Sequence, residues 1–562
     1  MLLRPKGEDE PDGRWARMVH IGGKRFNAGF DRLSGWYARS TRRLLSLRAP
    51  VLWAYGGLLA LTALVFSATP VGFIPQQDQG YAITVAFMPP GTSLAQTDKV
   101  LRSTAAKMLK IPGVKGAVML AGYNAPSGTI ASNSAAAFLI FDGFEERAKH
   151  GYTQKFIMDE AQKIAGSVNA GRVLVIQPPL IRGIGTGGGF KMIVQDRANR
   201  GYEALNKIVG DVIGVAAKDP ALVHVHTKFE LGAPRVYADI DRAKADMIGV
   251  PPSRVFEALQ VYLGSAYVND FNLLGRTYRV IAQADLPFRD DVSDIAQLKT
   301  RSNSGEMVPI GAVATLQDKT GPYRSLRYNL YPSIDIEGDT APGYSSGQAL
   351  AAMERATAKL PAGVTTEWTE VAFQQKLAGN AAILVFAAAT LFVFLVLAAQ
   401  FESLMLPLAI ILIVPMTLLA AMIGVNLRGM DNNILTQIGL VVLIGLAAKN
   451  AILIVEFAKQ AEEEGLNPID AVVRAAQSRL RPILMTSFAF ILGVVPLVIA
   501  SGPGHELRQA LGTAVFAGML GVTFFGLVFT PTFYVATRML SERMRAWRER
   551  RKPNDPTLQP AE

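Results

Sequence analysis

Six apolar runs constrain the fold of this chain more than any other feature, because each is long enough to cross a bilayer as a helix. A hydrocarbon core about 30 Å thick requires about 20 predominantly apolar residues in helical conformation. The sequence therefore predicts an α-helical membrane bundle with six spans. The predicted spans are 50–69, 381–400, 405–426, 434–457, 483–501 and 511–536.

The long stretch between the first two spans, 70–380, has the composition of a folded aqueous domain. Its segment 94–110 has helical periodicity, with Leu101 and Met108 predicted on the buried face. Strands that alternate with helices predict a large α+β domain of βαβ-type units. Further strands are predicted at 81–88, 135–141, 173–177, 190–194 and 234–240, and further helices at 153–167 and 202–217.

Basic residues beside the spans predict the orientation of the chain. The segments 1–49, 458–482 and 537–562 are rich in Lys and Arg, whereas 427–433 and 501–510 hold one Arg each. Since basic loops remain in the cytoplasm, we expect a multi-pass membrane protein with both termini inside and the α+β domain outside the cytoplasm, which in a Gram-negative cell means the periplasm.

Composition excludes several classes of function. The absence of Cys excludes disulfides, thiolate metal sites and a Cys nucleophile. The net charge of +11 is spread along the flanks of the spans rather than gathered on one face, so we expect no nucleic-acid partner. The stretch Trp36 to Leu47 fits either an amphipathic helix on the membrane surface or a solvated charged helix. His224 and His226 lack a third ligand nearby, so no metal site is predicted.

Lys449 is the residue in the spans that most demands a chemical explanation. A lysine at the centre of a membrane helix costs about 2.5–3.5 kcal/mol to insert. Its predicted helix continues for about eight residues, or about 12 Å, which is far for a snorkelling side chain. The carboxylates of Glu402, Asp431 and Glu456 lie in a turn, a loop and a helix end. We therefore expect the acidic partner of a proton relay on another segment or chain.

Two other places attract attention as candidate sites. Thr486 lies one turn inside the next span, where its hydroxyl either bonds across helices or bonds back to its own helix, and Pro482 is expected in the first turn of that span. The small, turn-rich stretch 121–134 predicts a flexible loop before a strand, in which Tyr123 and Phe138 offer aromatic surface to apolar ligands.

Several motifs resemble the hydrophobe/amphiphile efflux branch of the RND superfamily, the AcrB/MexB-like multidrug pumps. The resemblance extends over almost the whole chain and is most specific on the fourth span and at the start of the fifth. The matching motifs are FIPQQDQG at 73–80, PGTS at 90–93, YVNDF at 267–271, MVP at 307–309, RYN at 327–329, and the stretches 437–457 and 479–486.

The resemblance implies that the chain is similar to the C-terminal half of such a pump, with its six spans corresponding to spans seven to twelve. It implies C-half porter subdomains at 71–186 and at 187–236 with 326–376, and a docking subdomain at about 237–325. It also implies no cofactor, because the proton motive force drives transport. The implied partners are the N-terminal half with its aspartate pair, other protomers of a trimer, a periplasmic adaptor protein, an outer-membrane channel, the lipid bilayer and small hydrophobic substrates.

The resemblance further assigns site residues. Lys449, Thr486 and Arg479 correspond to the proton relay. The stretch 121–134 corresponds to the switch loop between drug pockets, so the implied substrate contacts are Tyr123, Ser127, Phe138 and Phe141. The paired aspartates of the family lie on the fourth of its twelve spans, which has no counterpart among the six spans predicted here.

These observations predict the C-terminal half of a proton/drug antiporter that exports hydrophobic or amphiphilic compounds through a tripartite complex. Three alternatives stay open: an inactive gene fragment, a membrane-anchored periplasmic binding or assembly module without transport of its own, and an RND relative that carries lipids or metals. We do not expect an enzyme, because no nucleophile–base arrangement or phosphate-binding loop is found.

Overall fold

The computed structural model describes residues 14–550 except 182, 186 and 380, and it begins with two consecutive helices. These are α1 (Arg14–Ser46) and α2 (Arg48–Ala68). The predicted helix from Trp36 is therefore the last part of a helix of 33 residues. It packs on the bundle, since Tyr37 is buried and its hydroxyl donates to the carbonyl of Leu527 at 2.8 Å. Residues 1–13 of the predicted N-terminal segment and 551–562 of the tail lie outside the described residues.

The first α/β unit follows α2 and contains a four-stranded sheet in the order β2-β3-β1-β4. Strands β1 and β2 run parallel with β3 between them, which is a split form of the βαβ unit. Leu101 and Met108 are buried between α3 and the sheet, as the periodicity predicts. In chain order the elements are β1 (Tyr81–Phe87), α3 (Leu94–Met108), β2 (Val114–Asn124), β3 (Thr129–Phe141), α4 (Phe144–His150), α5 (Gln154–Gly166) and β4 (Arg172–Ile176).

The stretch 121–134 is not a flexible loop, and the prediction is wrong there. Strands β2 and β3 pair as far as Asn124 and Thr129, and a single 3-10 turn ending in Gly128 connects them. Gly128 has a φ of 64°, a conformation that glycine adopts without a steric cost. The small polar residues have weak strand propensity, but pairing with β1 and β2 satisfies the backbone groups of β3 regardless of its side chains.

The second α/β unit has β5 inside the sheet order β13-β14-β5-β15, with β6 on the side of β14. Helices α6 and α10 cover the face that carries Met192 and Ile334. The strand predicted at 234–240 is β7, and it pairs with β12 rather than with β5. The alternation of residues predicted the strand but could not identify its partner. The elements of this unit are β5 (Phe190–Asp196), α6 (Tyr202–Ala216), β6 (Leu222–His226), β13 (Arg327–Tyr328), β14 (Tyr331–Thr340), α10 (Ser346–Thr357), β15 (Val364–Thr369) and α11 (Glu370–Ala378).

A region of short elements is inserted between β6 and β13. Its strands form the three antiparallel pairs β7–β12, β8–β9 and β10–β11, and its small core includes Val255 and Ile310. Its elements are β7 (Ala233–Ile240), α7 (Arg242–Met247), α8 (Pro252–Leu259), β8 (Ala266–Leu273), β9 (Arg276–Ala282), α9 (Val292–Gln297), β10 (Lys299–Arg301), β11 (Met307–Pro309) and β12 (Ala314–Gly321).

The last part of the described chain is helical and, with α2, forms the membrane bundle. Six helical stretches are long and apolar enough to cross a bilayer, and they overlap the six predicted spans. Helix α17 packs against α14, α15 and α16, and the shared core includes Leu443 and Met519. The helices are α12 (Ala381–Phe401), α13 (Met405–Ile411), α14 (Val414–Leu427), α15 (Ile434–Glu463), α16 (Pro468–Val498) and α17 (His505–Arg550).

Helix α16 begins well before the predicted span, so the position expected for Pro482 is wrong. The side chain of Asn467 accepts a hydrogen bond from the backbone of Asp470 at 2.9 Å and caps the helix, and Pro468 occupies its first turn. Pro482 therefore lies inside the helix. The apolar run predicted only the part of the helix that is suited to a bilayer. The polar first part begins where Asn467 caps the helix, and hydropathy does not detect it.

Candidate functional site

Two consecutive polar residues on α15 point to different sides of the helix. Asn450 is buried in the bundle, and its Nδ2 donates to Oγ of Ser487 on α16 at 3.1 Å. Lys449 is exposed on the outside of the bundle, and no acceptor for its ammonium occurs among the residues that the structure describes. Helix α15 runs on from Lys449 to Glu463, a length of about 21 Å. In a bilayer the ammonium therefore faces lipid or another protein segment.

The other two predicted relay residues lie on α16. Thr486 is partly buried, and its hydroxyl donates to the carbonyl of Ile483 at 3.1 Å, so it bonds back to its own helix. The guanidinium of Arg479 lies over the ring of Phe457 on α15, 3.0 Å from the ring centroid. Its Nε is buried without a described hydrogen-bond partner. The structure thus brings Arg479 against the helix of Lys449, whereas the described hydrogen bond of Thr486 stays within its own helix.

Asn450 and Ser487 make the polar contact between α15 and α16 that the sequence patterns missed. Each follows directly after a predicted relay residue, Lys449 or Thr486. A neutral amide or hydroxyl in an apolar helix often bonds to its own backbone, so it does not predict a partner. Both helices carry two adjacent polar residues, and successive side chains on a helix point about 100° apart. This spacing could have indicated that one residue of each pair faces a neighbouring helix.

The four predicted substrate contacts lie on the hairpin of β2 and β3, but not on the same side of it. Tyr123 and Phe138 lie with Ile83 and Val85 on the sheet face away from α3 and α5. Phe141 is 4% exposed and belongs to the core on the opposite face. Successive strand residues alternate between faces, so positions 138 and 141 face opposite ways. Phe141 thus lies in the core, on the face opposite Tyr123 and Phe138, and its role as a substrate contact stays a prediction.

Ser127 lies at the exposed turn of the hairpin. Its hydroxyl is 2.6 Å from that of Thr129 and accepts a hydrogen bond from Nη1 of Arg324 at 3.5 Å. The turn is therefore connected to the segment between β12 and β13. This places a polar hydroxyl and a guanidinium near the open end of the face that carries Tyr123 and Phe138.

A cleft of about 1140 Å³ lies between the two α/β units and the adjoining end of the bundle. Its lining includes Phe73, Asp78, His224, Asp339 and Glu506. The four predicted substrate contacts do not line it. The volume exceeds that of typical sites for drug-sized ligands. No local pattern in the sequence predicts this cleft, because segments more than 400 residues apart form it.

Ionisable groups gather on the sheet face of the second α/β unit that α6 and α10 leave open. The ammonium of Lys191 lies 3.6 Å from Asp335, 3.4 Å from Glu337 and 3.6 Å from Glu370. Burial raises the pKa of Glu370, and Lys191 only partly offsets this. Burial alone would also raise the pKa of Glu337, but Lys228 and Lys191 together hold it below its usual value.

Burial lowers the pKa of the neighbouring His226, whose Nδ1 lies 2.7 Å from the carbonyl oxygen of His224. The ring of His224 lies beside a different group, with Nδ1 3.6 Å from the Asp339 carboxylate. Hydrogen bonding to Asp339 raises the pKa of His224. Within residues 14–550, apart from the three that are not described, no group of three or more His, Asp or Glu is arranged to hold a metal ion.

Comparison with known proteins agrees with this architecture. Residues 10–538 match the model of the AcrB/AcrD/AcrF family. Multidrug resistance protein MdtF of Escherichia coli O6:H1 is 36% identical over 544 residues, which are 96% of this chain and 52% of that protein. Multidrug export protein AcrF of Escherichia coli K12 is 37% identical over 517 residues, 91% of this chain and 50% of that protein.

A third relative is the multidrug/solvent efflux pump membrane transporter MepB of Pseudomonas putida, which is 36% identical over 518 residues, 92% of this chain and 49% of that protein. The chain thus spans about half the length of these relatives. The family model covers most of the chain, including the α/β units and nearly all of the six apolar helices. The chain therefore belongs to the AcrB/AcrD/AcrF family of RND multidrug efflux transporters.

Proposed function

We propose that this chain forms the C-terminal half of an RND proton/drug antiporter that exports hydrophobic or amphiphilic compounds. The observation that carries the proposal is the ammonium of Lys449, which lies within an apolar helix and faces out of the bundle without a described partner. An unpaired cation in that position is costly, and a carboxylate on an adjoining segment would relieve the cost. An N-terminal half with two aspartates would supply such carboxylates.

In this proposal the proton motive force drives transport and no cofactor takes part. When the partner carboxylates are ionised, they attract Lys449, and when protons neutralise them, that attraction is lost. The hydrogen bond between Asn450 and Ser487 fixes the rotation of α15, so Lys449 stays directed outward while the helix moves. Arg479 and Thr486 are proposed to complete the relay from α16.

The two α/β units serve, in the same proposal, as porter subdomains at 71–186 and at 187–236 with 326–376, and the inserted region at about 237–325 as the docking subdomain. Tyr123 and Phe138 would contact apolar substrates, with Ser127 at the rim. The chain would lie in the bacterial inner membrane with both termini cytoplasmic. It would assemble into a trimer and bind a periplasmic adaptor and an outer-membrane channel.

The experiment reconstitutes the chain with a polypeptide that supplies the first six spans of the family, and measures dye efflux driven by a pH gradient. Lys449→Ala should reduce the rate by at least tenfold, as expected when a buried charge pair worth about 1.4 kcal/mol or more is lost. Lys459→Ala is the matched control, because Lys459 lies on the same helix and makes only a 3.9 Å contact with Glu463. Equal rates for the two variants would refute the proposal.

A membrane-anchored binding module is the second candidate, because the chain alone already forms a cleft of about 1140 Å³. Dye binding by the chain in nanodiscs without its complement distinguishes the two functions. A module would bind dye with the same affinity whether or not the complement is present, and it would show no pH-driven efflux with it. The antiporter requires efflux with the complement, whatever the affinity of the chain alone.

A further inference from the structure

Residues 70–73, here called the strap, leave the end of α2 and pair with the segment that begins α15. Val71 and Asn432 form a parallel bridge. The N–H of Gly72 donates to the carbonyl of Asn432 at 3.3 Å, and the N–H of Asn432 donates to that of Pro70 at 2.9 Å. The N–H of Ile434, the first residue of α15, donates to the carbonyl of Phe73 at 3.0 Å. The strap is therefore bonded through its backbone to the start of α15 and to the residues just before it.

The opposite side of the strap is bonded to the first turn of α10. The N–H of Gly347 donates to the carbonyl of Val71 at 3.2 Å, and the N–H of Phe73 donates to Oγ of Ser346 at 3.1 Å. Helix α10 packs on the sheet of the second α/β unit through Leu350 and other buried residues. Four consecutive residues thus connect a membrane helix to an α/β unit through backbone bonds on both sides.

Both contacts depend on glycine. A Cβ at position 72 would overlap the carboxylate of Asp431. A Cβ at position 347 would lie 2.5 Å from the carbonyl oxygen of Val71. The first obstacle is the end of a side chain and the second is backbone. The two sides of the strap can therefore be disturbed separately, and only the first can be repaired by a second substitution.

Helix α15 carries Lys449 at about 24 Å from its capping residue Asn433. The side chain of Asn433 accepts from the N–H groups of Leu435 and Thr436 at 3.0 Å each, which fixes the first turn. The helix contains no proline between the cap and Lys449. A displacement of Lys449 along the helix axis therefore reaches the strap without an intervening hinge.

We propose that the strap is the connection through which displacement of α15 is transmitted to α10 and the second α/β unit, with Gly72 and Gly347 as its positioning residues. This inference rests on the proposed function, since it concerns how charge changes at Lys449 would reach the region that handles substrate. Transmission requires that both sides of the strap stay bonded during the movement. Loss of either side should lower turnover while leaving the substrate sites intact.

The first experiment measures pH-driven dye efflux and dye affinity in the complete reconstituted pump. Gly72→Ala and Gly347→Ala should each reduce turnover about tenfold or more with unchanged dye affinity, since misplacement of about 1 Å far from a site can cost up to about 100-fold. Asp431→Ala should restore Gly72→Ala, because it removes the overlapping carboxylate, but should not restore Gly347→Ala. Gly214→Ala is the control, because a Cβ there meets open space.

The second experiment keeps this inference separate from the proposed function. Amide exchange at positions 346–347 is compared between the native chain and Lys449→Ala in nanodiscs. Their exchange rates should differ in the native background, agree in the Gly72→Ala background, and differ again when Asp431→Ala is added. If exchange follows this pattern but the native pump fails to transport, the proposed function fails and the strap stands. If the native pump transports and both glycine variants match Gly214→Ala, the strap proposal is overturned.

Discussion

Replacement of Arg147 by Met is expected to destabilise the first α/β unit by about 3–5 kcal/mol, the usual cost of breaking a buried ion pair. The guanidinium is 3% exposed, and its Nη1 lies 2.8 Å from Oδ2 of Asp78, which is 10% exposed. It also donates to the carbonyl of Asp142 at 3.0 Å and lies 4.7 Å from the centroid of the Phe144 ring. After the change, Asp78 keeps a hydrogen bond from the N–H of Gly80 but no described cation.

The magnitude is tested with a double-mutant cycle. Asp78→Asn in the Arg147→Met background neutralises the charge that was left unpaired, and it keeps an oxygen that can accept from Gly80. The double variant should therefore be more stable than Arg147→Met alone, with an interaction energy of about 2–3 kcal/mol between the two positions.

Local amide exchange is the suitable assay, because a chain with several units does not unfold in one step. The N–H of Phe141 donates to the carbonyl of Gly80 at 2.9 Å and reports opening beside the ion pair. The N–H of Ile334 in the second unit is the internal control. The reasoning would be refuted if the effects of Arg147→Met and Asp78→Asn, both measured at the amide of Phe141, were additive within about 0.5 kcal/mol.

Two further predictions concern the α/β units. Burial lowers the pKa of His226 from 6.5, so its contribution to stability is complete above that pH and is lost as the pH falls; the protection factors of the β6 amides should therefore decrease between pH 7 and 5, and His226→Gln should reduce this change. His224→Gln is the comparison, since its raised pKa acts with the opposite sign, and an unchanged profile of protection factors for His226→Gln would contradict the assignment. Phe141→Ala should cost about 3–5 kcal/mol in local stability without a specific loss of dye affinity, whereas Phe138→Ala should weaken dye binding with a smaller loss of stability. Weaker dye binding by Phe141→Ala than by Phe138→Ala would instead support Phe141 as a substrate contact.

Hydropathy predicted what depends on long runs of one residue class. The six apolar helices were found because each contains an apolar run of about 20 residues, the length that a bilayer requires. Lys449 was conspicuous because its environment is apolar on both sides along the chain. The buried face of α3 at Leu101 and Met108 followed from periodicity alone. In each case the signal lies within a single segment.

Features that depend on pairing between distant segments were not predicted. The partner of β7 is β12, about 80 residues away, and the hairpin of β2 and β3 forms from residues with weak strand preference. The outward direction of Lys449 and the inward direction of Asn450 are set by which face of α15 meets α16 and α17. Strand partners and the direction of side chains depend on packing between distant segments, which the sequence of a single segment does not reveal.

The outward position of Lys449 has a consequence for the order of assembly. Insertion of the helix carries a penalty of about 2.5–3.5 kcal/mol as long as lipid surrounds the ammonium. A membrane partner that neutralises the charge removes this penalty, so its association constant is raised by up to roughly 70- to 400-fold relative to a partner without an acidic group. The same lysine that would respond to protons in a finished pump would thus first select, among neighbouring helices, the one that belongs beside it.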